Sequence, residues 1–317
     1  MAAVRFHLPG LRYNFPLNMV FNSLLKSHRE YFREGVEIGS FFGCFPTALW
    51  NGGRFIPNDQ CDSKFVKSVI KSINAEGIPI RYTFTNPLIT EKDLSDPYCN
   101  FCMEAADNGM NEVIVFSPIL EQYIREKYPS YKINSTICKQ IRTPEELNAE
   151  LEKDYQYVVL DYNYNNKFEI LDKLNHPEKL EILTQTLCTP NCPRRTEHFQ
   201  QISKDQRTVL ENRNLPPEKR KPIMGWQCVY GETGSLHSVM KSPTFVSPES
   251  IWNEYVPRGI TNFKIEGRTA NLFSLVDYYT YFMCKPEYAG LARLTILKTL
   301  QQGGIVNVNS PRPSTWL

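Results

Sequence analysis

SKFVKSVIKSINAEGIPIRYTF, residues 63–84, is the stretch that decides the fold. Phe65, Val66, Val69, Ile70 and Ile73 recur at three- and four-residue steps, the spacing of one helix face. Gly77 closes that helix as a C-terminal glycine, and Ile78–Phe84 follows as a strand. Helix, glycine, strand is one half of a parallel βαβ unit, and the same alternation extends in both directions.

Upstream, Val4–Leu8 and Gly35–Gly39 read as strands with a helix, Leu17–Phe32, between them. Downstream, the strands are Glu112–Phe116, Lys132–Asn134, Tyr157–Leu160, Leu180–Thr184 and Asn262–Ile265. Helices are expected over Asp93–Asn108 (ending at Gly109), Leu120–Tyr128, Thr143–Glu152, Ile251–Glu254 and Ala270–Met283. The clearest start is at Thr143, which can cap the helix, with Pro144 in its first turn and Glu146 at capping-box spacing. Eight strands separated by helices predict an α/β fold, a closed (β/α)₈ TIM-like barrel. An open doubly wound sheet is the alternative, but no Gly-rich phosphate loop follows the first strand. The barrel is expected to be one domain, residues 1–302, with 303–317 as an appended tail. Residues 186–250, between the seventh and eighth strands, form a long excursion rich in Pro, Arg, Lys and Asn. Excursions of that length are usually functional or disordered.

The chain has 317 residues, 41 % hydrophobic and 22 % charged, an ordinary globular composition. A formal net charge of +2 does not by itself indicate a nucleic-acid partner. No run of 18 apolar residues predicts a membrane span, and MAAVRFHLPGLRYNF lacks the apolar run of a signal peptide. A cytoplasmic protein is expected. In that reducing setting its nine cysteines are not structural disulfides but buried thiols, ligands or nucleophiles.

Barrel chemistry sits on the loops after the strands, and that rule sorts the cysteines. Cys44 follows the second strand, Cys188 and Cys192 follow the seventh, and Cys228 lies in the excursion before the eighth. These four share one rim. Cys99 and Cys102 form a C-x₂-C, but within a helix expected to pack outside the barrel, so core thiols are the better interpretation. Cys61, Cys138 and Cys284 stand alone and are expected to be buried. Four cysteines suit either zinc or an iron–sulfur cluster, and spacing leaves plain burial open too. His198 is a further candidate ligand.

FKIEGR (263–268) resembles the C-terminal hallmark of the collagenase-like peptidases, peptidase family U32. CTPNCPRRTEH (188–198) resembles the cysteine segment of that family in its C-x₃-C variant, and VEIG followed by Cys44 resembles its early cysteine. The resemblance runs over roughly residues 2–285. It implies a barrel holding a [4Fe–4S] cluster, with zinc as the alternative, through Cys44, Cys188, Cys192 and Cys228. It implies an oxygen-independent hydroxylation of an aromatic ring or nucleobase. The partners would be a small aromatic substrate or RNA, a family partner subunit and an unnamed electron donor. EILTQTLC (181–188) departs from the peptidase-type pattern, which carries a His-Gly pair and six residues between the first two cysteines. The substrate is therefore left open.

Other residues extend the candidate site. Lys264, Glu266 and Arg268 alternate along the last strand, so all three share a face. They either hold an anionic substrate at the barrel mouth or fill the barrel with a buried ion network. Arg194 and Arg195 either stabilise thiolates, cluster or phosphate, or form a solvated basic loop. Asp161 and Asn163 end the sixth strand, a catalytic position in a barrel, or else cap a local turn. Gly52, Gly53 and Arg54 look like a tight turn. Two further classes remain: hydrolysis, for which neither GxSxG nor HExxH is present, and a non-catalytic cluster-bearing or RNA-binding subunit.

Overall fold

Val4–Pro9 (β1), Val36–Gly43 (β2), Ile80–Phe84 (β3), Glu112–Val115 (β4), Lys132–Ser135 (β5), Val158–Val159 (β6), Leu180–Leu183 (β7) and Asn262–Lys264 (β8) follow one another around a closed barrel. All neighbours are parallel, and β8 returns to β1 through Arg5↔Asn262, Phe6↔Phe263 and His7↔Lys264. This computed structural model describes residues 3–53, 61–229, 235–268 and 270–306. The (β/α)₈ expectation therefore holds, and every strand lies at or within a few residues of its expected position.

The helices are Phe15–Ser27 (α1), Ser63–Ala75 (α2), Pro97–Ala105 (α3), Pro118–Lys127 (α4), Pro144–Leu151 (α5), Phe168–Leu171 (α6), Arg195–Arg213 (α7), Leu236–Val239 (α8), Pro248–Ser250 (α9), Leu272–Met283 (α10) and Pro286–Gln302 (α11). In α2 the apolar stripe Val66, Val69, Ile70 and Ile73 is buried, and the Asp62 side chain caps the Phe65 N–H. At α5 the Thr143 hydroxyl accepts from Glu146 N at 3.2 Å, as expected. Glu146 reaches back to Arg142 N instead of Thr143 N, so the capping box is half made. Three expectations shift. The helix expected over Asp93–Asn108 is a 3₁₀ turn, Glu91–Ser95, followed by α3, because Pro97 needs a helix start. The helix expected over Leu17–Phe32 ends at Ser27 and is followed by a 3₁₀ turn. The excursion contains the 19-residue α7. Among the described residues no helix is long and apolar enough to cross a membrane.

Inward-facing residues form two levels, because alternate strand positions face the barrel interior. The lower level is ionic. Arg81 (β3) donates to Glu112 (β4) at 2.6 Å and to Glu181 (β7). Asn134 and Gln156 complete the Glu112 carboxylate at 3.0 and 3.1 Å. His7 (β1) bonds Ser40 at 2.8 Å and stands 3.4 Å from Glu181. A bulge between β1 and β2 skips Gly39, where a Cβ would meet the His7 ring at 2.6 Å, so glycine is what lets that imidazole sit in the barrel. The upper level, toward the strands' C-terminal ends, includes Phe42, Thr83, Ile114, Leu183 and Lys264, and it opens into a cavity.

Candidate active site at the barrel mouth

The cavity above that level measures about 470 Å³. Its wall is made where the second to eighth strands end, together with α7, the segment that follows it and the start of α10. Eight of the ten proposed site residues line it: Cys188, Cys192, Cys228, Arg194, Arg195, Lys264, Glu266 and Arg268. Cys44 and Asp161 do not.

Lys264 belongs to both alternatives raised for it. Its Nζ is 3.3 Å from Glu181 of the ionic level and 4.2 Å from the centre of the Phe42 ring, and the residue is only 9 % exposed. Burial pulls its pKa down to about 8; Glu181 opposes the shift, while Arg81 and Arg268 add to it. Burial disfavours the Glu181 charge, but Arg81, Lys264 and His7 outweigh it and hold that carboxyl well below the usual range. His7 is pushed well below its ordinary value, first by burial and then by Arg81. Beneath the cavity thus lies a fixed array of two carboxylates, one guanidinium and a neutral imidazole, which Lys264 joins to the cavity wall.

Beyond β8, the Glu266 carboxylate accepts from Leu187 N at 3.0 Å, which fixes the start of the cysteine segment. Arg268 donates to Asn51 at 2.9 Å and to Thr83. The shared face expected for Lys264, Glu266 and Arg268 is therefore present, although β8 itself stops at Lys264.

Arg195 is not a solvated loop residue. It opens α7, is 4 % exposed, and pairs with Asp161 at 2.8 Å with its guanidinium over the Tyr162 ring. Asp161 also accepts from Asn163 N at 3.0 Å, so it serves as turn cap and as counter-ion. These residues border a second cavity of about 260 Å³, separated from the first by Cys192 and Arg195. Arg194 is more exposed and lies over Trp226 at 4.3 Å, while His198 stacks on the same indole with rings 6° from parallel. Phe199 and Tyr278 add to this aromatic side of the wall.

The cysteines divide as follows. Cys188 and Cys192 are partly buried and Cys228 is exposed. Burial raises the Cys188 thiol, with Cys192 and Glu266 adding to the effect among opposing influences. Cys44 is partly exposed as a residue, but its thiol turns inward, donating to the Thr83 carbonyl at 3.3 Å, and burial raises its pKa. It stands behind the cavity wall, one residue removed from it. Among the described residues no three of His, Cys, Asp and Glu are grouped to hold a metal ion. As they stand, the four cysteines are not an assembled ligand set. Cys99, Cys102 and Cys284 are buried core thiols, as expected. Cys138, expected to be buried, is partly exposed and lines the cavity after β5.

Sequence reasoning missed Cys138, Thr83, Trp226, Phe199 and Tyr278 as wall residues. The signal for the first two was position, since both stand at or just beyond the end of a barrel strand. Gly52 and Gly53 do more than turn the chain. Gly53 has φ +80° and its N–H donates to Gln206 of α7 at 2.6 Å, and an added Cβ would meet Ile202 of that helix at 2.9 Å. Arg54 lies outside the described residues.

Together these features define a (β/α)₈ barrel with a polar, cation-lined cavity at the end of the barrel where catalytic residues gather. No protein-family model matches the chain, and no curated protein matches it. A solved structure, the U32 peptidase Mk0906, is similar at TM-score 0.46 and 12 % identity, over 84 % of this chain and 92 % of that one. The fold assignment rests on the barrel itself.

Proposed function

We propose that this chain is an enzyme that binds a small, flat, anionic substrate, an aromatic acid or a nucleotide, in the barrel mouth. One observation carries the reading: among the described residues the cavity wall combines four cations, Arg194, Arg195, Lys264 and Arg268, with a single carboxylate, Glu266, and an aromatic side built on Trp226, Phe199 and Tyr278. Cations in a concave, partly desolvated site favour anions, and ring faces favour planar groups. The test is a fluorescence titration with aromatic carboxylates and nucleoside monophosphates, because Trp226 is the one tryptophan among the described lining residues. Saturable quenching that weakens at least tenfold in Arg268→Met supports the reading. Quenching unaffected by that change, or absent for every anion, contradicts it.

A second reading is favoured by the three candidate cysteines on the same wall, Cys188, Cys192 and Cys228. It is an oxygen-independent hydroxylation of the bound ring, assisted by a [4Fe–4S] cluster held by these and Cys44. Such a cluster supplies electrons. Because the four thiols are not drawn together, no reaction step is assigned to it. Anaerobic reconstitution followed by iron and sulfide analysis decides the matter. Stoichiometric iron and sulfide that is lost in Cys188→Ala but kept in Cys99→Ala supports the cluster, and a colourless, iron-free protein rules it out. Zinc bound in the same assay supports the other metal, for which the described residues offer no grouped ligands. Hydrolysis, or a non-catalytic RNA-binding role, would be indicated instead by metal-free peptide turnover or by co-purifying RNA.

A further inference from the structure

Lys264 is the one lysine among the described residues that line the cavity. It stands at the C-terminal end of β8, nearly buried, with Nζ 3.3 Å from Glu181 and 4.2 Å from the Phe42 ring centre. An amine held this way, beside other cations and away from bulk water, is an activated nucleophile toward carbonyl carbon. We propose that Lys264 is a carbonyl-reactive residue that condenses with a small aldehyde or ketone carrying an anionic group, forming an iminium at Nζ. The proposal adds a covalent step to the anion-binding reading and rests on that reading for the ligand's charge.

The step balances without any outside oxidant or reductant. The lysine ammonium loses one proton to water, and the neutral amine attacks the carbonyl carbon. A C–N bond forms as the C=O π bond breaks; one proton moves from nitrogen to the oxygen and a second returns to it from water, and the C–O bond breaks as the nitrogen lone pair forms C=N and water leaves. The iminium keeps the single positive charge that the ammonium carried. That matters here, because the charged groups that act on Lys264 among the described residues are held in place: Glu181 from β7, Arg81 from β3 and Arg268 beyond β8, with neutral His7 from β1 close to the same carboxylate. Exchange of ammonium for iminium leaves that array's balance unchanged, so Glu181 can hold the adduct as it holds the free side chain. The lowered pKa of about 8 gives the amine a large neutral fraction at mildly alkaline pH. An ordinary surface lysine, near 10.4, has well under a hundredth of its amine neutral there.

The experiment uses the full chain, pyridoxal 5′-phosphate as probe and sodium borohydride to trap the iminium, followed by peptide mapping. At pH 8 and substoichiometric probe, Lys264 should carry on the order of tenfold more label than any exposed lysine. Pyridoxine 5′-phosphate, which lacks the aldehyde, should suppress that label. The Lys264→Arg variant keeps the positive charge and should lose the selective label while surface labelling is unchanged. If pyridoxine 5′-phosphate binds and quenches Trp226 but the trapped label is spread over exposed lysines, the imine is refuted and the anion site stands. If neither compound binds in the cavity, both fall together.

Discussion

The ionic floor of the barrel makes Glu181→Gln the most informative single substitution. The Glu181 carboxylate is fully buried and faces three groups at once: Arg81 by hydrogen bond, Lys264 at 3.3 Å and His7 at 3.4 Å. Glutamine keeps the shape and removes the charge. Arg81 retains Glu112, but Lys264 is left without a carboxylate in contact. Removing one partner from a buried charge array costs about 3–5 kcal/mol, because the remaining charge stays desolvated and uncompensated. In a chain of this size that corresponds to a fall in Tm of roughly 5–8 °C. The matched control is Glu37→Gln, whose pair with Arg5 at 3.6 Å is largely exposed and is worth less than about 1 kcal/mol. Urea unfolding followed by circular dichroism reads both, with the midpoint shifting at constant slope for a pure stability change. A loss below about 1 kcal/mol for Glu181→Gln, or one no larger than the control, refutes the claim that this array holds the barrel's floor.

His7 carries a pH dependence of definite sign. It is neutral in the folded barrel and gains a proton on unfolding below about pH 6.5, so stability is lost as pH falls there, by up to about 1.4 kcal/mol per unit. A His7→Gln variant should show a flatter profile between pH 7 and 5 in the same urea assay. Glu181 acts in the same direction at lower pH, since its depressed pKa means that the unfolded chain takes up its proton first, below about pH 4.3. Asp161→Asn strands the buried Arg195 and should cost on the order of 3 kcal/mol, read by thermal unfolding. Thr143→Ala removes the α5 cap and should cost about 1 kcal/mol in the same experiment, with no effect on ligand binding.

The barrel was legible because its outward strand faces and α2 follow hydrophobic periodicity, and because glycine and proline mark the turns. The fold's polar parts were not. α7 escaped notice because the face it buries is made of Arg195, Ser203, Asp205, Gln206 and Val209. It is held by directed bonds, such as Gln206 to Gly53 and Arg207 to Asp93, which leave no apolar stripe to read. The ionic floor was hidden for a related reason. Arg81, Glu112 and Glu181 sit within strands as single charges, and their pairing across three strands depends on the closure of the sheet. At the site, strand-end position brought Lys264, Glu266, Arg268, Cys188 and Cys192 to one rim, and all five line the cavity. Trp226 and His198 come together only through the path of the excursion, which no local pattern specifies. Position also put Cys44 on the correct rim but not the direction of its thiol, which turns to the Thr83 carbonyl.

The most direct test of the account is a crystal structure of the chain with the tightest-binding anion from the fluorescence titration. The account predicts ligand density in the barrel mouth, its ring on the aromatic side near Trp226 and its anionic group among Lys264, Arg268 and Arg194. Density for the ligand elsewhere, with the mouth filled only by water, would contradict it.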